Sequence, residues 1–223
     1  MIKIFRIFRG ILKYNIQMIQ MRYLVLVILL CTTVIHAELI NNDVIEKANQ
    51  KYGTFARNRF INLKEKLLVG LKGKSELLKL NFVNTWVNQI KYESDKKLYG
   101  VNDYWATLYE FVGKNGGDCE DYTIAKYYIL KALGVSPKKM KFVYVIYQSR
   151  TGKRISHMVL AYFKVDKPKT KDDILILGNN NRLVLPASKR PDLVKIIKMI
   201  NGDTGPTSKK WKQLEINMKR KKL

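Results

Sequence analysis

Thiols and imidazoles are scarce in this chain, with two cysteines and two histidines among 223 residues. One of each, Cys31 and His36, falls within the first 37 residues, so a chain shortened by that segment keeps Cys119 and His157 alone. A single thiol cannot form an internal disulfide, which excludes a cross-linked scaffold. Acidic residues are also few, 18 against 42 Lys and Arg, and the formal net charge is +24. Such an excess fits a nucleic-acid or anionic-membrane surface. The basic residues are spread through every segment rather than gathered in a stripe, so we read them as compositional bias and expect no nucleic-acid partner. No apolar run is comfortable as a membrane span. The stretch Tyr23 to Ile35 is too short, and with Lys3, Arg6, Arg9, Lys13 and Arg22 before it and Ala37 after it, it has the layout of a signal peptide. Its long basic start leaves open translation from Met18 or Met21, or retention as an anchor. Leu30 before Cys31 argues against lipid attachment.

The remaining composition is that of one ordinary globular domain, without internal repeats. We place the leader at 1–37, the domain at 38–208, and a basic tail at 209–223 with no companion apolar stripe, expected to be a frayed helix or disordered. Phe60, Leu63, Leu67 and Leu71 recur at helical spacing, and Gly53 divides that stretch into two helices. Ser75 is a candidate N-cap for a helix that carries Leu78, Phe82, Trp86 and Ile90 along one face, read as core. After the loop around Gly100 and Asn102, a glycine-rich turn ends in Gly116-Gly117 and leads into Asp118-Cys119-Glu120-Asp121. A further helix then bears Ile124, Ala125, Tyr128 and Ile129, and stops near Gly134 and Pro137. Beyond it the period becomes two. Phe142 to Tyr147, Ile155 to Phe163, Ile174 to Leu177 and Arg182 to Leu185 read as strands, with His157, Val159 and Ala161 on one face.

Cys119 stands at the start of a helix, where the dipole and free backbone N–H groups favour a thiolate and an oxyanion. Gly116 and Gly117 would let the backbone approach a substrate. A nucleophilic Cys119 with a conventional base has His157 as the one imidazole left to it after export. The flanking acids work against a thiolate, since nearby negative charge raises a thiol pKa. Two readings of Asp118, Glu120 and Asp121 stand side by side: helix N-terminal capping, or oxygen ligands for calcium.

The runs Asp103-Tyr-Trp-Ala-Thr107, Glu110-Phe111, Gly116-Gly-Asp-Cys-Glu-Asp-Tyr122, Ile124-Ala-Lys-Tyr127 and Ala132-Leu-Gly-Val135 resemble the bacterial transglutaminase-like cysteine proteinases. The likeness continues through His157-Met-Val-Leu-Ala-Tyr162 and Pro186-Ala-Ser-Lys-Arg-Pro-Asp-Leu193. The resemblance implies an α+β, transglutaminase/papain-like fold, with the Cys-bearing helix packed on an antiparallel sheet that bears the His. It implies Cys119 as nucleophile, His157 as base, and calcium held by Asp118 and Glu120, with Asp103 and Asp121 as weaker candidates. Family members work in the periplasm, cleave a large repeat adhesin that governs biofilm attachment, and are inhibited by an inner-membrane cyclic di-GMP receptor. We expect the same here, for a monomer without a stable membrane span once the leader is cleaved. One departure stands out. Where the family has its third catalytic residue, an Asp eight positions before Pro-Ala-Ser, this chain has Gly178 followed by Asn179. Asn179 or Asn180 can orient the imidazole through an amide oxygen, and Asn179 is taken as the third member. A weakened or non-catalytic binding homologue and acyl transfer to an amine are the alternatives.

Overall fold

Asn41 caps the first helix, α1 (Asn42–Tyr52), by accepting from the Val44 N–H at 3.0 Å. Gly53 ends α1, and α2 (Thr54–Asn62) runs on into a π-helical segment, Leu63–Val69. Phe60, Leu63, Leu67 and Leu71 are all buried, as their spacing requires. These coordinates come from a computed structural model that describes residues 39–223. The expected leader, with Cys31 and His36, lies outside the described residues.

Ser75 caps α3 (Glu76–Val87), as expected. The buried face of α3 differs from the one expected. Leu80, Val83 and Val87 are inside together with Asn84, whereas Leu78 is 38% and Phe82 52% exposed. The helix is apolar on more than one side, so two stripes compete and tertiary packing selects between them. A short parallel pair, β1 (Lys91–Tyr92) with β2 (Gly116–Gly117), brackets α4 (Asp95–Tyr99) and α5 (Leu108–Lys114). Thr107 and Glu110 cap the start of α5 reciprocally. Then comes α6 (Cys119–Ala132), which packs against both α3 and the main sheet.

The main sheet is antiparallel, in the order β6-β5-β4-β3-β7. It comprises β3 (Met140–Gln148), β4 (Arg154–Phe163), β5 (Ile174–Leu177), β6 (Leu185–Pro186) and β7 (Leu193–Asn201). The first three match the sequence expectation. The fourth shrinks to two residues, and β7 was not anticipated at all. Adjacent Ile196 and Ile197 break the two-residue period there, and the strand lies on the sheet edge with most of its residues exposed. Val143, Val145, Val159, Ala161, Phe163 and Ile176 form a core cluster on one face. The architecture is the mixed helix and antiparallel sheet that was expected.

The basic tail is a structured part of this unit, contrary to expectation. Ser208 caps α7 (Lys209–Lys219), which buries Trp211, Leu214 and Met218. Those residues form a stripe at spacings of three and four, hidden in the sequence by the lysines around it. The Trp211 ring meets Trp105, Tyr127, Tyr128 and Phe142 at centroid separations of 5.1 to 6.3 Å. Among the described residues no helix is long and apolar enough to cross a membrane. Trp211 is 3% exposed, so Trp211→Ala is expected to cost about 3–5 kcal/mol, read as a lowered denaturant midpoint at unchanged slope.

Candidate active site

Cys119 is the first residue of α6, and the backbone N–H of Met158 in β4 is near enough to its sulfur to oppose the rise in its pKa. Pairing between β4 and β5 runs from Leu160 to Phe163. Residues 157 and 158 therefore extend past the end of β5, and the first turn of α6 docks there. The Thr123 hydroxyl sits between the carbonyls of Cys119, at 2.9 Å, and Met158, at 3.2 Å. The sequence positions Cys119 and His157 are thus brought within one residue of each other across the helix–strand contact.

The acids of this turn divide by role. Asp121 is buried and accepts from the N–H groups of Ala106, at 2.8 Å, and Asp118, at 3.3 Å, so it is the N3 member of a capping box whose N-cap is Asp118. Asp118 keeps a buried Oδ1 with no hydrogen-bond partner. Asp95 is also buried; its Oδ2 accepts from the Tyr104 N–H at 2.6 Å, and its Oδ1 is without a partner. Ligand oxygens of Asp95, Asp118 and Asp121 lie within 4.8 Å of one another, as do those of Asp95, Asp103 and Glu120. Asp103 is ion-paired with Lys210 on α7. The four acids picked out in the sequence therefore converge, and Asp95 joins them. No sequence signal marked Asp95, which sits in the polar stretch between Lys91 and Asn102.

Burial, and then the charges of Glu120, Asp121 and Asp95, push the Asp118 carboxyl up to about 9. Asp121 and Asp95 are raised as well, chiefly by burial. Buried carboxyls that repel one another, two of them with unpartnered oxygens, fit a hard cation with oxygen preference. The thiol of Cys119 is 2.9 Å from Glu120 Oε2. Burial and then Glu120 raise its pKa, the reverse of the lowering expected from the helix start. Gly117 also differs from expectation. A Cβ there would stand 2.6 Å from the Phe111 ring and 2.7 Å from Asp121 Oδ2, so this glycine admits internal packing rather than substrate.

His157 is 7% exposed, its ring 5.6 Å from that of Tyr147, and its Nε2 is buried without a partner. Asn179 Oδ1 is likewise buried and unpartnered. Asn179 lies in the bend that follows β5, beyond the last β4–β5 pair. Beside the Cys119 turn, a groove of about 620 Å³ is lined by Trp105, Glu120, Tyr144, Ile197, Lys198 and Lys210.

Burial, followed by the charges of Arg190 and Lys126, lowers the His157 pKa from 6.5 to about 4, with Asp192 opposing. The folded chain thus holds this proton more weakly than the unfolded one. The stability that neutral His157 contributes is complete above pH 6.5 and declines as pH falls from there to about 4. An imidazole NMR titration should show a midpoint near 4. Between those limits, the pH dependence of the unfolding free energy should be shallower in His157→Gln than in the wild type.

Residues 63–217 match the family model described as bacterial transglutaminase-like cysteine proteinase. Solved structures of Legionella pneumophila LapG are similar to the chain. One is 34% identical, with a TM-score of 0.65, covering 82% of this chain and 99% of LapG. The calcium-bound form is 32% identical at a TM-score of 0.62, covering 79% and 98%. The EGTA-treated form is 32% identical at 0.64, covering 82% and 100%. Among curated proteins nothing matches the chain.

Proposed function

Because the chain belongs to the bacterial transglutaminase-like cysteine proteinases, we propose that it is a calcium-dependent periplasmic endopeptidase that cuts a large repeat adhesin, with Cys119 as nucleophile and His157 as base. The observation that carries this reading is the docking of the Cys119 turn on β4 beside His157. Within it, His157 takes the thiol proton and the sulfur attacks the scissile carbonyl, giving an acyl-enzyme as the peptide C–N bond breaks. The imidazolium returns the proton to the leaving amine. His157 then draws a proton from water, which hydrolyses the thioester and restores the thiol. Free N–H groups of the first turn of α6 are the donors nearest the developing oxyanion.

Asp95, Asp118, Glu120 and Asp103 are the residues that would hold calcium, while Asp121 remains in the capping box. Bound there, calcium supplies positive charge that offsets the acids around Cys119 and stiffens its turn. The groove lined by Trp105, Tyr144 and Lys198 is the place for an extended substrate segment. A signal peptide at 1–37 would deliver the enzyme to the periplasm, and an inner-membrane cyclic di-GMP receptor would restrain it.

Two outcomes test this assignment. Cys119→Ala and His157→Ala should each abolish cleavage of the purified N-terminal region of a large repeat adhesin from the same organism, followed on gels and by product mass. Undiminished cleavage by Cys119→Ala would exclude the assignment, and amine-linked product would mark acyl transfer instead. For the metal, calcium at about 100 times its Kd should stabilise the fold by about 2.7 kcal/mol. EGTA should reverse that gain, and Asp95→Asn or Asp118→Asn should largely abolish it in thermal melts.

A further inference from the structure

The chain lacks a carboxylate at position 178, and the groups around Gly178 show what occupies that place. The β4–β5 ladder ends with Leu177 opposite Leu160, and the chain then bends at Asn179 and Asn180. Within β4, Val159 and His157 share one face. A Cβ built on Gly178 would stand 3.4 Å from Val159 Cγ1, 3.6 Å from Arg190 Nη1 and 2.8 Å from Asn180 Oδ1. The side-chain oxygen of Asn180 therefore lies in the volume that a side chain at 178 would enter.

That oxygen is held. Arg190 Nη2 donates to Asn180 Oδ1 at 3.0 Å, while Nε and Nη2 donate to Asp192 at 2.9 and 2.7 Å. Arg190 is 3% exposed, and its remaining nitrogen, Nη1, is buried without a partner, as is His157 Nε2. The turn itself is fixed from α3. Asn88 Nδ2 donates to the carbonyls of Gly178 and Asn181 at 3.0 and 3.1 Å, and Asn84 Nδ2 donates to that of Arg182 at 2.9 Å.

We infer that Asn180, presented by Arg190, is the positioning residue for His157, its Oδ1 accepting from Nε2–H in place of the missing carboxylate. A carbonyl oxygen has two lone pairs, so the bond from Arg190 leaves one for the imidazole. Fixing the proton on Nε2 leaves Nδ1 as the base toward Cys119. His157 Nε2 is buried and engaged by no other group among the described residues, so its N–H is open to this acceptor. The inference rests on the Cys119–His157 peptidase reading, and it replaces Asn179 by Asn180.

The test uses the full chain and two readouts. Against the N-terminal adhesin fragment, Asn180→Ala should lower kcat by about a hundredfold with KM little changed, and Asn179→Ala should leave both as they are. Asn180→Ala removes the oxygen that stands 2.8 Å from a Cβ at 178, so adding Gly178→Asp in that background supplies a carboxylate beside Val159 and Arg190 Nη1. That double variant should recover wild-type kcat, which a merely structural loss would not allow. Separately, the Nε2–H proton of His157, assigned by its disappearance in His157→Gln, should lose its downfield hydrogen-bonded shift in Asn180→Ala and regain it in the double variant. Wild-type kcat in Asn180→Ala, or a fall that Gly178→Asp does not repair, overturns the inference. So does an Nε2–H signal that Asn180→Ala leaves unmoved, and this readout decides the matter even if Cys119→Ala still cleaves and the peptidase reading fails.

Discussion

The contacts of Cys119 and Thr123 with Met158 fix the first turn of α6 against the end of β4, and the site depends on that junction. A helix meets a sheet along side chains, whereas here a helix start meets strand backbone in the gap left where β5 stops. Only at such a gap can a thiol reach a strand N–H without disrupting a ladder of paired amides. The length of β5 is thus a functional dimension. Pairing two residues further would occupy the Met158 amide and exclude the sulfur. Asn84 and Asn88, which hold the chain just after β5, keep it from continuing.

The same junction creates an electrostatic conflict. α6 begins with Asp118, Glu120 and Asp121 around one thiol, and Asp95 closes the group from α4. A helix N-terminus tolerates acids, and Asp118 and Asp121 use that allowance reciprocally in a capping box, with Asp121 also accepting from Ala106. Unpartnered oxygens on Asp95 and Asp118 are costly inside a protein unless something binds them. A cation bound by the acids that hinder a thiolate would relieve them, and reactivity and metal binding would then be coupled through the same few atoms.

Much of this was legible in the sequence, for physical reasons that differ by element. The α6 stripe and the two-residue period of β3 to β5 came from burial on one face, which leaves a periodic trace. Cys119 and His157 emerged by scarcity. β7 left no trace because an edge strand exposed on both faces has no reason to alternate, and α7 was obscured by lysines flanking Trp211, Leu214 and Met218. The face of α3 was misassigned because its buried side includes Asn84, a polar residue that serves the turn after β5. Asp95 and Arg190 were invisible for a different reason. Their roles depend on which partners tertiary structure supplies: Asp95 lies in no motif, and Arg190, although inside the Pro186–Leu193 run, carries no sign there of what it binds.

Asp103 shows how the tail joins this system. It pairs with Lys210 at the start of α7, and both side chains are about half exposed. An exposed pair of this kind contributes only about 0–1 kcal/mol, so Asp103 is cheaply released to a divalent ion. The anchoring of α7 does not depend on that pair, since Trp211 is packed among four aromatic rings. Lys210 therefore stays beside the acidic cluster whether or not it is paired, and it also lines the groove next to Glu120. Transfer of Asp103 from the lysine to a cation would leave Lys210 free to meet a carboxylate on a bound peptide. Metal occupancy would in that way adjust the charge of the groove without any movement of the backbone.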